Sequence, residues 1–156
     1  MLRRRRPLLE ARAGGRWVLH LDADERAFLA RLAGELAALL QHDPDDPGLR
    51  RLFPPAHTDD IASEAEYQIH LGADLRASRE ASLGILAATA ERTTLDEGEV
   101  TAWVQALNAV RLVLGTRLGI ADDSDEPPPD ADEATTTVWA VYDFLGWLLD
   151  RAVRSL

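Results

Sequence analysis

Asp96-Glu97-Gly98-Glu99-Val100-Thr101-Ala102-Trp103-Val104-Gln105-Ala106-Leu107-Asn108-Ala109-Val110-Arg111-Leu112-Val113-Leu114-Gly115-Thr116-Arg117-Leu118-Gly119 carries its own start and stop signals. Asp96 and Glu99 have the spacing of a capping box, in which each side chain satisfies a backbone N–H that the first helical turn leaves open. Val100, Trp103, Val104, Leu107, Leu114 and Leu118 recur at three- and four-residue intervals and line one face. Gly119 stands where a C-terminal glycine cap belongs. Val110, Leu112 and Val113 widen the apolar arc, as expected of a helix covered on more than one side. A helix of this kind needs other helices around it.

The rest of the chain supplies them. Asp22 and Glu25 form a second capping-box spacing, and Phe28, Leu32, Leu36, Leu39 and Leu40 give one apolar face, predicting a helix from Asp22 to Gln41. It ends before Asp43-Pro44, because a residue preceding proline avoids helical geometry. Pro44, Pro47, Pro54 and Pro55 bound a loop over 42–58, with Leu49, Leu52 and Phe53 folding back onto the core. A second helical stretch spans Asp60 to Arg92. Gly72 and Gly84 weaken it by about 1 kcal/mol each, so it reads as one kinked helix or as two. Before all of these, residues 3–21 read as a β-hairpin turning at Gly14-Gly15, a pair that supplies positive φ angles at little cost. Residues 121–134 hold seven acids, three prolines and no base, and read as a mobile linker. The last helix is expected from Thr136 to Arg154. The expected architecture is mainly α: one domain over residues 1–156, a bundle of four or five helices with an N-terminal β-hairpin.

Composition bounds the chemistry. The 156 residues suit one domain, which at this length buries roughly 70% of its unfolded surface without disulfide or metal support. There is no cysteine, which excludes thiol nucleophiles, Cys-type zinc sites and thiol switches, and fits a reducing cytoplasm. All 17 basic residues are arginine, so Schiff-base chemistry and a Walker lysine are excluded too. A net charge of −10 argues against nucleic-acid or anionic-membrane binding by the domain as a whole. No apolar run approaches a membrane span, and no secretory signal is legible.

Candidate sites are few. Glu66, His70 and Asp74 stand four apart on one helix and could touch a divalent metal, but one helix supplies every ligand, so a solvated face is the plainer reading. A calcium loop from Asp122 to Glu133 would put Pro127 where the loop needs glycine. Arg3 to Arg6 could meet phosphates, yet in a strand they alternate sides. No serine or histidine sits in a nucleophile motif. The expectation is a non-enzymatic protein with no catalytic residue, no metal and no cofactor. Arg111 falls in the apolar stripe and needs partners; Asp143 or Asp150 of the last helix would make a structural ion pair, and the alternative is a small-ligand or enzyme site centred on Arg111. Trp139, Phe144 and Trp147 leave the last helix apolar on nearly all sides, so other helices cover it or it forms an interface with a protein partner or a second copy.

The segment Ala106 to Ile120, above all Asn108-Ala109-Val110-Arg111-Leu112-Val113-Leu114-Gly115-Thr116-Arg117-Leu118-Gly119-Ile120, resembles the signature of an actinobacterial family long catalogued as a domain of unknown function, some of whose members are described as oxidative-stress regulators of the AosR type. The similarity extends to the hairpin, to Asp74-Leu75-Arg76 and to Trp139 through Leu149. It implies a small cytoplasmic transcriptional regulator that works through protein contacts, with an alternative sigma factor or RNA polymerase at promoters of sulfur metabolism. It also implies oxidant sensing by a cysteine pair. That part does not carry over: cysteine is absent and Met1 is the single methionine.

Overall fold

The computed structural model describes residues 7–53, 61–122 and 125–156, the side chains of 61–73 excepted. The order is β1 (Leu9–Arg12), β2 (Arg16–Leu19), α1 (Ala23–His42), a short 3-10 turn (Pro47–Leu49), α2 (Ile61–Thr89), β3 (Thr94–Asp96), α3 (Glu97–Leu118) and α4 (Glu133–Ser155). The fold is mainly α, as expected. The hairpin turns at Gly14 and Gly15, both at positive φ (77° and 71°), with Leu9 opposite Leu19 and Arg12 opposite Arg16. The arginine run at 3–6 and prolines 54 and 55 lie outside the described residues.

The hairpin is part of a three-stranded sheet in the order β1-β2-β3. Thr94-Leu95-Asp96 pairs antiparallel with β2, Trp17 opposite Leu95, and then turns directly into α3. Three residues are too few to show alternation in a sequence, so the strand is invisible there. Leu95 is nevertheless fully buried. Both capping boxes form as read: the Asp22 carboxylate accepts from Glu25 N and the Asp96 carboxylate from Glu99 N, each at 2.8 Å. Gly119 caps α3 in the left-handed region at φ 70°. α2 is one helix through Gly84.

α3 lies at the centre, with α2 and α4 packed on it and α1 against both α2 and α3. Its Ala106 and Ala109 are fully buried. Trp103 Nε1 donates to Thr89 Oγ1 at 2.7 Å and ties α3 to the end of α2. The 3-10 turn buries Leu49 and Leu52 beneath it, and Arg51 donates to the Ile120 carbonyl just past the C-terminus of α3, where a cation is favoured.

Arg26 of α1 is buried and joins the sheet to the helices. Its guanidinium donates to the carbonyls of Leu21 (3.0 Å) and Leu19, where β2 ends, and to those of Ala90 (3.5 Å) and Arg92, where α2 ends. Burial lowers its pKa from the ordinary arginine value. At the hairpin, Glu10 accepts from Arg12 and meets His20 at 2.6 and 2.8 Å. The Arg12 bond first, and then the His20 bond, hold its carboxyl down to about 2.

Arg26→Met should cost about 2–4 kcal/mol in urea unfolding, because it leaves several buried carbonyls without donors; a loss within ~0.5 kcal/mol would mean the clasp is dispensable. Gly34 and Gly84 are helical with open space where a Cβ would go. Gly34→Ala and Gly84→Ala should each stabilise by about 0.5–1 kcal/mol. Gly115→Ala should show no such gain, since its Cβ would stand 3.2 Å from the Tyr142 ring and 3.1 Å from Arg51. An NMR titration should give Glu10 a midpoint at about 2, against the ordinary 4.5. With the folded value depressed, the pair supports the fold above the ordinary carboxylate range and fades as pH falls through about 2. Arg12→Ala should move the midpoint upward.

Candidate functional site

α4 begins three residues earlier than its apolar pattern suggests. Asp132 caps it, accepting from Thr135 N at 2.7 Å; hydrogen bonding from the Thr135 side chain first, and then from its backbone N–H, lowers the Asp132 pKa. The last residues of the acidic stretch are therefore the cap and first turn of the helix; Asp123 and Ser124 lie outside the described residues. Trp139, Leu145, Leu148 and Ala152 form the buried face of α4.

Two glycines set how α4 meets α3. A Cβ on Gly115 would touch the Tyr142 ring, and a Cβ on Gly146 would touch Arg111 Nε at 3.1 Å. As the α3 positions rise from 111 to 115 their α4 neighbours fall from 146 to 142, so the helices run antiparallel. Arg111 lies in the seam with Cζ 4.6 Å from the centre of the Tyr142 ring, a cation–π contact worth about 0.5–2 kcal/mol. Of the two acids expected beside it, Asp150 is bound by Arg154 at 2.9 Å and Asp143 is exposed. Arg111 is packed against α4 through the Tyr142 ring.

The seam separates the three aromatics expected to act together. Trp139 is only 6% exposed and packs edge-on against Tyr142 at 6.4 Å, so it belongs to the core. Phe144 is half-buried, and Trp147 is 42% exposed. Phe144 stacks on Trp147 at 6.0 Å and on the other side meets Phe28 of α1 at 6.5 Å. Arg151 lies over the Trp147 ring at 4.6 Å and Arg31 over Phe28 at 5.5 Å. The result is a surface strip in the order Arg31, Phe28, Phe144, Trp147, Arg151, running from α1 onto α4. Phe28, Arg31 and Arg151 are absent from a sequence-based list. Their signal is spacing: Arg31 stands three residues after Phe28, and Arg151 four after Trp147, on the same helical face.

Beside the strip, Leu32, Leu36 and Leu39 of α1 face Val113 and Leu114 of α3 across an apolar groove of about 170 Å³, with Glu35 and Arg117 on its rim. That is below the roughly 300 Å³ of ordinary small-molecule pockets, and Arg111 does not line it. Among the described residues no group of three His, Asp or Glu side chains is placed to hold a metal. Asp74 is exposed on α2, while the side chains of Glu66 and His70 lie outside the described residues. No described helix is long and apolar enough to cross a membrane.

With this geometry in hand, comparison with known proteins places the chain. It is 32% identical over 122 residues to a Mycobacterium leprae (strain TN) protein named "Putative oxidative stress regulator AosR", an alignment covering 67% of this chain and 54% of that one. The chain therefore spans about half the length of the curated relative it matches. No solved structure matches. A family model described as a domain of unknown function, DUF2017, matches residues 5–156, a span that takes in the sheet, the Arg111 seam and the strip alike, and the chain belongs to that family.

Proposed function

We propose that this chain is a non-enzymatic cytoplasmic regulator that acts by protein contact, and that the strip centred on Trp147 is its contact surface. One observation carries the reading. Trp147 stands exposed on a helix whose other face is committed to the core, held in one orientation by Phe144 on one side and Arg151 on the other. A large aromatic fixed in advance loses little conformational freedom on binding, and tryptophan and arginine dominate the energetic centres of protein interfaces.

Two further considerations support it. The relative is named a regulator. Arg111, the arginine around which a ligand site would form, packs in the α3–α4 seam against Tyr142. The partner class follows from the resemblance: an alternative sigma factor or RNA polymerase, at promoters of oxidative-stress or sulfur genes. With no cysteine in the chain, a redox signal reaches it through its partner or through its abundance, not through a disulfide of its own.

The test is direct binding of the purified chain to RNA polymerase holoenzyme from the source organism, followed by biolayer interferometry. Trp147→Ala should weaken binding at least about tenfold, as expected for a central tryptophan, while the far-UV spectrum and unfolding midpoint stay put. Equal binding by both forms would remove the strip from the contact. No binding by either would remove the polymerase.

A further inference from the structure

Fourteen residues, 119–132, join α3 to α4. Neighbouring helices of a bundle are usually joined by roughly two to eight. Tyr142 lies level with Gly115, so α4 starts about six residues, or about 9 Å, past the level of Leu118. A few extended residues, at about 3.3 Å each, would cross that gap. The connection therefore carries more chain than the docked helix needs. Its stretch Asp125-Glu126-Pro127-Pro128-Pro129-Asp130 is exposed throughout, without helix or strand, and holds three acids and no base. Like charges and consecutive prolines keep such a segment extended.

Attachment divides the molecule at the same place. The sheet and α1, α2 and α3 are stitched together by polar bonds: the Arg26 clasp, Trp103 to Thr89, and Ser82 Oγ to Gln105 Oε1 at 2.9 Å. β3 passes without a break into α3. α4 supplies its own cap, Asp132, and its own ion pair, Asp150 with Arg154. It is seated on α3 by an apolar face, Trp139, Leu145, Leu148 and Ala152, and by the Tyr142 ring set against Gly115 and Arg111. At its far end Ser155 Oγ accepts from Leu9 N at 3.4 Å, a long bond.

We infer that α4 is a docking unit: it leaves and rejoins the molecule as a whole while the sheet and α1 to α3 stay folded, with the Tyr142 ring as its latch. The surface strip then has a switch, a step that rests on the strip being the contact surface. Phe28 and Arg31 belong to α1, Phe144 and Trp147 to α4, and the row is continuous only through the contact of Phe28 with Phe144 at 6.5 Å. Undocking divides it. A partner that binds the whole row holds α4 down, and anything that frees α4 removes the row.

Hydrogen–deuterium exchange of the full chain, resolved by peptide, tests this. Helices in proteins keep their hydrogen bonds chiefly through packing, so the amides of an undocked α4 exchange together. Peptides covering 139–149 should share one opening constant and exchange at least about tenfold faster than those covering 103–110 of α3. Tyr142→Ala should speed α4 at least roughly tenfold further and leave the 103–110 rate unchanged. Tyr142→Phe, which keeps the ring, should leave both as they are. Equal rates in α3 and α4, a gradient that merely decays from the chain end, or a Tyr142→Ala chain in which every helix speeds up alike overturns the inference. The wild-type comparison decides the matter even where the alanine variant does not fold. The two proposals fail separately. RNA polymerase holoenzyme bound across the row should slow exchange in α4; holoenzyme that binds without slowing it overturns the contact surface and leaves the undocking intact. A chain that binds holoenzyme through Trp147 while its α4 exchanges at the α3 rate overturns the undocking alone.

Discussion

A single buried guanidinium holds the sheet to the helices. The strands are four, four and three residues long, too short to be stable by themselves. Where β2 ends and where α2 ends, backbone carbonyls point inward with no strand or helix partner of their own. Arg26 reaches both places from the first turns of α1 and donates to carbonyls at each. Buried acceptors without donors would cost more than the sheet could return. With the clasp in place, the residues after α2 pair with β2 as β3, and β3 runs straight into α3. The position of the central helix is therefore inherited from a side chain on α1.

From α3 the constraint passes to α4 through two missing side chains. Gly115 admits the Tyr142 ring and Gly146 admits Arg111, and the cation–π contact between those two residues fixes the rotation of α4 about its own axis. That rotation settles which aromatics face inward. Trp139 and Trp147 are eight residues apart, or about 80° on the wheel. Turned as it is, α4 buries the first and exposes the second. The exposed aromatic strip is thus a consequence of packing on the opposite side of the helix.

What the sequence shows, and what it hides, follows from range. Caps are local: Asp22 with Glu25 and Asp96 with Glu99 are readable because the hydrogen bonds span three residues. The Gly14-Gly15 turn is readable for the same reason. Arg26 is not, because the carbonyls that define its role lie as far as 66 residues away and arginine on a helix ordinarily faces water. The residue Arg111 stands out in an apolar stripe, but its packing against Tyr142 and Gly146 depends on helix pairing, which spacing alone leaves open between ring and carboxylate. The split among Trp139, Phe144 and Trp147 was beyond periodicity, since a helix apolar on nearly all sides has no preferred phase until its neighbour is known. β3 was beyond it because three residues carry no pattern.

The size of the exposed α4 face bounds what kind of contact it could make. From Ala140 to Arg154, α4 offers about 21 Å of helix, with one strongly exposed aromatic and charges around it. Obligate interfaces bury upwards of roughly 2,000 Å² and resemble a divided core. A single helix rimmed by ion pairs falls short of that, and its charged contacts weaken as salt rises. Such a surface suits exchange better than permanence.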